Sequence, residues 1–437
     1  MKRKTSLFLA VVLVIIVVAS ALAIYGTIAF NPEGSKILWQ RSIADFATGL
    51  AADGDLVFAM NISGYVNCYN AQTGESVWSS GNSVGGYFAK GLTVAEGRVY
   101  GGFRYASVGS LDEATGQFQW NQMYTAGINN APDVLTVKEG RLFVVSKGPG
   151  AGVAALNAST GTILWQTAYR FDIFGNITDS KNWWLAGYPL NGNFAEGKII
   201  YAIGGNTSYP HILKLDTTDG SVLWQSDSIT FLSLPTVVGT FQGQIIIVNG
   251  NQILSLSQTT GEKLWMTEIN ATAIYAPTPY LERLFFVGSD GNFYSLNPKD
   301  GAIISTTKVD DQKTLSQTNA DLTLFPIQVN KNQRIYLGFG LNEENQFKAT
   351  IVCLDFDTCN LEWTKQIQDT NLSPEGGYGL IISKDTVFLT ENNTLWIFNA
   401  STGNQARNER FEHYVLPPIM LNDKVFLAAD LQLTAYQ

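Results

Sequence analysis

The chain has 437 residues, of which 45% are hydrophobic, 12% aromatic and only 15% charged. This composition can build a large core and is unlike that of a disordered chain. The formal net charge of −9 argues against a nucleic-acid-binding surface, because such a surface needs a basic face. No nucleic acid is therefore expected among its partners.

The N-terminus predicts a membrane anchor. Residues 2–4 are basic and precede an apolar run over residues 7–30. A run of about twenty apolar residues after a basic flank can span a bilayer, with the charged end in the cytoplasm. The alternative is a cleaved signal peptide, because residues 19–21 (Ala-Ser-Ala) offer a small-residue cleavage site. The apolar run continues past that site, which favours a retained helix over residues 1–30 and one exported domain over residues 31–437.

One short phrase then recurs along the chain at intervals of about forty residues, which is typical of a repeat architecture. It consists of an Asp, Asn or Ser, a turn that ends in Gly (usually Thr-Gly), and a Trp four residues after the glycine. Copies stand at Asn70–Trp78, Asp112–Trp120, Asn157–Trp165, Asp216–Trp224 and Ser257–Trp265. Short runs rich in β-branched and aromatic residues surround each copy, as in antiparallel hairpins. Four strands per repeat predict an all-β chain that forms a β-propeller of eight or nine four-stranded blades.

The glycine and the tryptophan of the phrase have structural explanations. Glycine supplies the positive φ that the turn needs. The strand after it is expected to bring the Trp against the neighbouring sheet, where burial of the ring stabilises the fold by a few kcal/mol. The repeated tryptophans are therefore predicted to be structural.

An insertion around residues 169–188 breaks the spacing of the repeats. It contains the aromatic residues Phe171, Phe174, Trp183, Trp184 and Tyr188. Its two tryptophans lie outside the repeat position, so the blade pattern does not account for them. Aromatic side chains on a loop over a rigid scaffold can anchor a protein or stack on a sugar. These five residues are the candidate partner-binding site, and the alternative is a loop that covers one face of the propeller. A second long segment, residues 309–324, is predicted to be a polar surface loop.

The later repeats depart from the phrase. Ser305 and Arg407 stand where Trp is expected, and Cys359 replaces the turn glycine of its unit. A disulfide between Cys353 and Cys359 is predicted across that hairpin in an oxidising exterior, with two free thiols as the alternative because disulfide geometry is demanding. Cys68 is interpreted as a small buried residue.

The two ends of the repeat region are incomplete units. Residues 36–39 (Lys-Ile-Leu-Trp) form a fourth strand with no strands before it, and residues 431–436 form a third strand with no fourth. Pairing of these ends would close the ring and remove its exposed edges.

Eight Asn-X-Ser/Thr sequons agree with export, since such acceptors belong on the surfaces of secreted domains. Asn157 and Asn399 occupy the Asp/Asn position of the repeat, so turn chemistry explains them without a glycan. The predicted glycosylation sites are Asn61, Asn176, Asn206, Asn270, Asn371 and Asn392.

The repeats resemble those of the PQQ-like β-propeller family, which carry Leu-Asp-x-x-Thr-Gly-x-x-x-Trp. The matching segments are Leu111–Trp120, Leu156–Trp165, Leu215–Trp224 and Leu256–Trp265. The resemblance covers residues 36–437 and implies the propeller fold. Within the family, the chain is similar to a non-catalytic branch that includes a propeller lipoprotein of the outer-membrane assembly machinery, which implies a scaffold without a cofactor.

The dehydrogenases of that family hold the quinone PQQ with a calcium ion, carboxylate and amide ligands, a catalytic Asp and an adjacent cysteine pair. None of these features can be placed in this sequence, where acidic residues concentrate in turns. We therefore expect no catalytic residue, cofactor or metal site. The leading interpretation is a membrane-tethered extracytoplasmic scaffold that binds an envelope protein or a surface glycan. The alternative is a sugar or alcohol oxidoreductase dependent on PQQ and calcium.

Overall fold

The structure is a computed structural model of the chain. It describes residues 36–83, 92–103, 107–123, 134–145, 153–167, 170–171, 177–179, 199–206, 209–230, 232, 236–310, 315, 322–343, 346–369, 379–391, 393–413 and 415–437. The predicted anchor over residues 1–30 lies outside these ranges and stays a prediction. Within them, no helix has the length and apolar character that a membrane span needs.

The described residues form antiparallel β-strands, numbered in chain order from β1 (Ile37–Ser42). Sheet 2 contains β2 (Ala47–Asp53), β3 (Leu56–Asn61), β4 (Val66–Asn70) and β5 (Ser76–Ser79). Sheet 3 contains β6 (Leu92–Ala95), β7 (Arg98–Phe103), β8 (Ser107–Asp112) and β9 (Phe118–Met123). Sheet 4 contains β10 (Val134–Lys138), β11 (Arg141–Val145), β12 (Val153–Asn157) and β13 (Ile163–Thr167). A separate two-stranded sheet contains β14 (Arg170–Phe171) and β15 (Ile177–Asp179).

The second half of the chain continues the same pattern. Sheet 5 contains β16 (Ile199–Asn206), β17 (Tyr209–Asp216) and β18 (Val222–Gln225). Sheet 6 contains β19 (Thr236–Phe241), β20 (Gln244–Asn249), β21 (Gln252–Ser257) and β22 (Lys263–Glu268). Sheet 7 contains β23 (Ile274–Tyr280), β24 (Arg283–Gly288), β25 (Asn292–Leu296) and β26 (Ile303–Lys308). Sheet 8 contains β27 (Leu322–Val329), β28 (Arg334–Glu343), β29 (Gln346–Asp355) and β30 (Leu361–Asp369). Sheet 9 contains β31 (Gly379–Ser383), β32 (Thr386–Glu391), β33 (Thr394–Asn399) and β34 (Gln405–Arg410).

The last three strands complete a sheet with the first strand of the chain. Sheet 1 contains β35 (Ile419–Leu421), β36 (Lys424–Ala429), β37 (Gln432–Tyr436) and β1. β1 pairs antiparallel with β37, with Trp39 opposite Ala435. The predicted pairing of the two incomplete units is confirmed.

Neighbouring sheets pack face to face around a ring. The side chains of each two neighbouring sheets meet in a buried hydrophobic cluster. One residue from each sheet, taken in order from the pair of sheets 1 and 2 to the pair of sheets 9 and 1, illustrates this: Phe426 with Val57, Phe58 with Val99, Tyr100 with Leu142, Phe143 with Ile212, Leu213 with Ile245, Ile246 with Phe286, Phe285 with Ile335, Tyr336 with Val387, and Phe388 with Val425. Sheet 9 thus packs on sheet 1, as in a closed β-propeller. The all-β propeller is confirmed. The described residues contain eight four-stranded sheets and one three-stranded sheet, and the count of eight or nine blades stays a prediction.

The two ends of the ring differ in the turns that they carry. We name one end the turn face; it holds the turns from first to second strand, such as Gly54, and from third to fourth strand, such as Gly74. The other end, the connection face, holds the turns from second to third strand, such as Gly64, and the sheet-to-sheet connections. Both described chain ends lie at the turn face, where the Gln437 N–H donates to the carbonyl of Lys36 over 3.0 Å.

The repeated tryptophan joins a sheet to the next wherever the phrase carries it. Trp78 of sheet 2 lies so close to Gly116 of sheet 3 that a Cβ on that glycine would stand 2.4 Å from the indole. The indole N–H donates to the carbonyl of Glu113 over 2.8 Å. The same packing of an indole on a glycine of the next sheet occurs for Trp39 on Gly74, Trp120 on Gly161, Trp224 on Gly261, Trp265 on Gly301 and Trp363 on Gly403. Glycine is thus needed both for its positive φ and for its missing side chain. The predicted structural role of the Trp is confirmed.

We call the interface between two neighbouring sheets a seam. In the seam between sheets 7 and 8, both partners of the Trp–Gly contact are replaced. Ser305 occupies the Trp position, and Cys359, at a φ of 56°, occupies the glycine position of the next sheet. The Arg283 guanidinium donates to the carbonyl of Phe356 over 2.7 Å, at the position that accepts from the indole in other seams. It also lies 5.1 Å from the centre of the Phe356 ring. Ser305, which is smaller than the usual Trp, therefore accompanies Cys359, which is larger than the usual Gly.

The seam between sheets 9 and 1 departs for a topological reason. No turn follows β37, because the outer strand of sheet 1 comes from the other end of the chain. Arg407 takes the Trp position, forms an ion pair with Glu409, and lies 5.8 Å from the centre of the Tyr436 ring. The Tyr436 hydroxyl donates to Glu409 Oε2 over 3.0 Å. This seam combines charge with aromatic packing.

Candidate partner-binding surface

The aromatic residues predicted to bind a partner belong to the connection from β13 to β16. Phe174, Trp183, Trp184 and Tyr188 lie outside the described residues. Phe171 ends β14, and its backbone pairs with Ile177 of β15. The connection begins where β13 ends, at the connection face. The role of these residues stays a prediction.

Sheet 8 reaches further along the connection face than its neighbours. β28 and β29 have 10 residues each, whereas β24 and β32 have 6. All begin or end at the turn face, so the extra four residues extend the β28–β29 hairpin by about 13 Å beyond its neighbours. The hairpin remains paired up to Glu343 and Gln346. It gives the connection face a projecting hairpin that the sequence did not predict.

The segment before sheet 8 was predicted to be a surface loop, and that prediction is wrong at its described residues. Val309 and Leu315 are buried in the cluster between sheets 7 and 8. Asp310 is 3% exposed, and its Oδ2 accepts the Leu315 N–H over 2.6 Å. This hydrogen bond ties the segment onto the core.

Exposed aliphatic side chains recur on the outer strands, next to the turn face. Val77, Leu164, Leu223, Leu264 and Ile304 each directly precede the Trp position, and they are between 45% and 51% exposed. We name these five residues the outer band. Each lies on the edge strand of its sheet, where backbone groups are also unpaired. The band is a second surface on which a protein could pack, and the repeated apolar residue before the Trp was the signal for it.

The centre of the ring is lined by the first strands of the sheets. β2, β6 and β10 contact one another in order, as do β19, β23, β27, β31 and β35, and β35 contacts β2. Among these eight strands the only acidic residue is Asp53, at the end of β2. Calcium needs six to eight converging oxygen ligands. The described first strands therefore do not supply a cluster of carboxylates for a calcium ion. In the described part of the chain, no group of three or more His, Cys, Asp and Glu residues is placed to hold a metal ion.

The histidines have local structural contacts. His211 is buried in sheet 5, and its Nδ1 lies 2.7 Å from the carbonyl of Ser226. His413 is half-exposed on the connection face, with Nδ1 3.2 Å from Asp430 Oδ1 and its ring against Phe46. These contacts agree with packing and turn roles.

The predicted disulfide is wrong, because Cys353 and Cys359 are both free thiols in the structure. Cys353 belongs to the cluster between sheets 8 and 9, and Cys359 to the cluster between sheets 7 and 8. The two side chains therefore point to opposite faces of sheet 8.

Cys68 and Cys353 lie opposite Trp78 and Trp363 on the neighbouring strand, where a small residue leaves room for the indole. Burial raises the pKa of both thiols to about 12, so both stay protonated.

The predicted glycosylation sites are only partly within the structure. Asn61 is half-buried, Asn270 is exposed, and Asn206 ends β16. Asn176, Asn371 and Asn392 lie outside the described residues. The side chains of Asn157 and Asn399 are used in turns, as expected: each Oδ1 accepts a backbone N–H, from Thr160 and Thr402 respectively. Modification of the other six stays a prediction.

Comparison with known proteins identifies the family. A family model described as outer membrane protein assembly factor BamB matches residues 25–101, 63–172 and 209–436. The chain belongs to this family. The BamB protein of Yersinia pestis is 24% identical over 306 residues, which cover 66% of this chain and 73% of that protein. The resemblance to PQQ-like propellers and to an outer-membrane assembly propeller is confirmed.

Solved structures share the fold. The crystal structure of BamB from Moraxella catarrhalis aligns with a TM-score of 0.52 at 15% identity, over 92% of this chain and 99% of that one. The quinohemoprotein alcohol dehydrogenase of Comamonas testosteroni aligns with a TM-score of 0.55 at 13% identity, over 93% of this chain and 77% of that one. At these identities the likeness concerns architecture alone, so an enzyme and a BamB protein are equally good matches for the fold.

Proposed function

We propose that the protein is a membrane-tethered, extracytoplasmic propeller that binds another protein of the cell envelope and acts as a scaffold in membrane-protein assembly. The observation that carries this proposal is the BamB family match, which extends over both halves of the ring. The relatives that the chain resembles are named as assembly factors. The apolar N-terminal run supplies the tether.

The connection face is the proposed binding surface. It carries the projecting β28–β29 hairpin, and β13, which leads into the aromatic insertion, ends there. Aromatic side chains such as those of the insertion are common anchors in protein interfaces. Within this proposal, a protein partner is preferred to a surface glycan because of the family.

Site-specific photo-crosslinking in native membranes tests the binding surface. A photoreactive amino acid replaces Tyr65 or Met123, which are exposed at the connection face, or Leu281, which is 73% exposed at the turn face. We expect the same protein adduct from both connection-face positions and none from position 281. The Trp183→Ala/Trp184→Ala variant should lose the adduct while keeping its melting temperature. Adducts from position 281 alone would contradict the proposed surface.

The proposal also includes a non-enzymatic role and a ring of nine blades. The scarcity of carboxylates in the described first strands supports the non-enzymatic role. The eight four-stranded sheets together with sheet 5 support the nine blades. The chain incubated with PQQ and calcium should not reduce a dye in the presence of sugars or alcohols. Turnover in that assay would favour the oxidoreductase instead.

An electron-microscopy map viewed along the ring axis would count the blades.

A further inference from the structure

The two faces of the ring stand in different positions relative to the predicted anchor. β1 begins at Ile37 on the turn face, and only residues 31–36 separate it from the apolar run. A chain extends by at most about 3.6 Å per residue, so six residues reach roughly 20 Å. If the anchor is retained, as the proposed function requires, the turn face lies near the bilayer and the connection face points away from it.

The predicted glycan acceptors lie on the opposite side from the anchor. Asn61 ends β3 and Asn206 ends β16, both at turns from second to third strand. Asn270 lies between β22 and β23, in a sheet-to-sheet connection. All three positions belong to the connection face.

The sequons at the turn face are unsuited to modification. Asn157 Oδ1 accepts the N–H groups of Ser159 and Thr160, at 2.9 and 3.0 Å. Asn399 is 6% exposed, and its Oδ1 accepts both the N–H and the hydroxyl of Thr402. A bulky sugar on either amide would disturb the Thr-Gly turn that packs against the Trp. Both turn-face sequons therefore have their side chains engaged in turns, whereas Asn270 at the connection face has an exposed side chain.

We infer that the connection face is an acceptor surface for N-linked oligosaccharide and that it is held away from the membrane, while the turn face stays unmodified beside the bilayer. Asn270 is the best acceptor, because its side chain is exposed and makes no hydrogen bond in the described part of the chain. Asn61 is half-buried, and its Oδ1 accepts the Tyr65 N–H over 2.9 Å, so it should be modified less completely.

The modification is a group transfer with a defined balance. A bond forms between the asparagine Nδ2 and C1 of the first sugar, and the bond from that C1 to a phosphate oxygen of a lipid-linked oligosaccharide donor breaks. The lipid phosphate leaves with the bonding electron pair, and the amide proton passes to a base on the transferase. Nothing is oxidised or reduced.

Peptide mass spectrometry of the full chain from its native membranes tests the acceptor surface. We expect a sugar mass on the peptide with Asn270, a lower occupancy at Asn61, and no sugar at Asn157 or Asn399. The Asn270→Gln variant should migrate faster in a denaturing gel, whereas Asn157→Gln should not change the migration. Absence of sugar from Asn61, Asn206 and Asn270 together, or equal occupancy at Asn157 or Asn399, would overturn the inference.

Fluorescence energy transfer tests the orientation separately. The three native cysteines are buried, so a single surface cysteine can be labelled selectively in the folded full-length chain. Asn422→Cys at the turn face and Leu431→Cys at the connection face flank opposite ends of β36, about 20 Å apart at 3.3 Å per residue. In vesicles with an acceptor dye in the lipid, transfer from position 422 should exceed transfer from position 431.

The two tests fail in distinguishable ways. Equal or reversed energy transfer would overturn the orientation and leave the acceptor surface standing. Release of the chain from carbonate-washed membranes would instead remove the tether of the proposed function, and the orientation with it. Peptide mass spectrometry reports the modified positions in either case.

Discussion

The seam between sheets 2 and 3 and the seam between sheets 7 and 8 join equivalent strands in different ways. The first places Trp78 against Gly116, where no side chain fits. The second has Ser305 at the Trp position and a buried Cys359 at the glycine position, with an inter-sheet hydrogen bond from Arg283. Ser305 and Cys359 thus occupy the two positions that meet in a Trp seam, and both depart from the repeated phrase. In this seam the departure spans two neighbouring repeats.

The largest effect is expected where the chain closes its own ring. Deletion of residues 36–42 removes β1 and the contact of Trp39 with Gly74, and should abolish cooperative unfolding of the ring. Trp39→Ala alone should cost about 3–5 kcal/mol of unfolding free energy, as for other buried aromatic truncations. Urea unfolding followed by tryptophan fluorescence measures both. Ser42→Ala, at an exposed position of the same strand, is the matched control. An unchanged melting temperature after the deletion would contradict ring closure through β1.

Glycine variants separate the packing of a Trp seam from its backbone requirement. Gly116 and Gly97 both have positive φ, at 69° and 74°, but only Gly116 faces an indole. Gly97→Ala should cost about 1–2 kcal/mol, the penalty for a left-handed residue with a Cβ. Gly116→Ala should cost about 1–3 kcal/mol more, because the methyl group also overpacks the seam. Equal losses of unfolding free energy in the two variants would show that the packing of the Trp78 indole on Gly116 contributes nothing.

A double-mutant cycle converts the altered seam into a Trp seam. Ser305→Trp alone should clash with the Cys359 side chain, and Cys359→Gly alone should leave a gap. The double variant should be more stable than the sum of the two changes by about 1–3 kcal/mol, the range for residues in direct contact. Additive free energies of unfolding would show that the two positions are not coupled. Ser305→Trp combined with Gly97→Ala provides a non-contacting control.

The smallest effect is expected from the turn carboxylates, and it should be the same in both kinds of seam. Hydrogen bonds from the Thr115 side chain lower the pKa of Asp112, and the Thr358 N–H lowers the pKa of Asp355. A lowered folded-state pKa gives stability that is present above the unfolded value, near 3.9, and is lost as the pH falls through the folded value. Asp112→Asn and Asp355→Asn should each reduce the fall in melting temperature between neutral and acidic pH. Both residues are only partly buried, so solvent screens the carboxylates and each change should stay below about 1 kcal/mol.

Asparagine is a suitable replacement because other repeats already use it. Asn70 Oδ1 accepts the N–H groups of Gln72 and Thr73 over 2.9 Å without titrating. A larger acid sensitivity in either variant than in the unaltered chain would contradict the assigned role of the turn carboxylates.

Local sequence patterns predicted much of this fold. A glycine turn followed by a Trp requires only neighbours within one hairpin, so the strands and the closing pair of chain ends were readable from spacing. The pairing of Ser305 with Cys359 was not, because the two residues belong to different repeats and meet only in the ring. The disulfide prediction failed for a related reason: nearness of Cys353 and Cys359 in sequence does not reveal that they face opposite sides of sheet 8.

The candidate binding surface was less predictable. The aromatic insertion stands out because Trp183 and Trp184 break the repeat spacing, but spacing does not say what they contact. The length of the β28–β29 hairpin depends on pairing across ten residues in each strand, and no residue type marks how far that pairing continues.

Closure by β1 also sets the order of events during biogenesis. Gln40 and Thr434 share a hydrogen bond although they are 394 positions apart in the chain. In the exported protein that we propose, β1 crosses the membrane first and waits for its partner until the last strand has followed. During that interval Trp39 and an unpaired strand edge are exposed, which is the condition under which exported chains aggregate. Under that proposal the ring closes only after translocation, and a holdase that shields β1 should speed the pairing of β1 with β37.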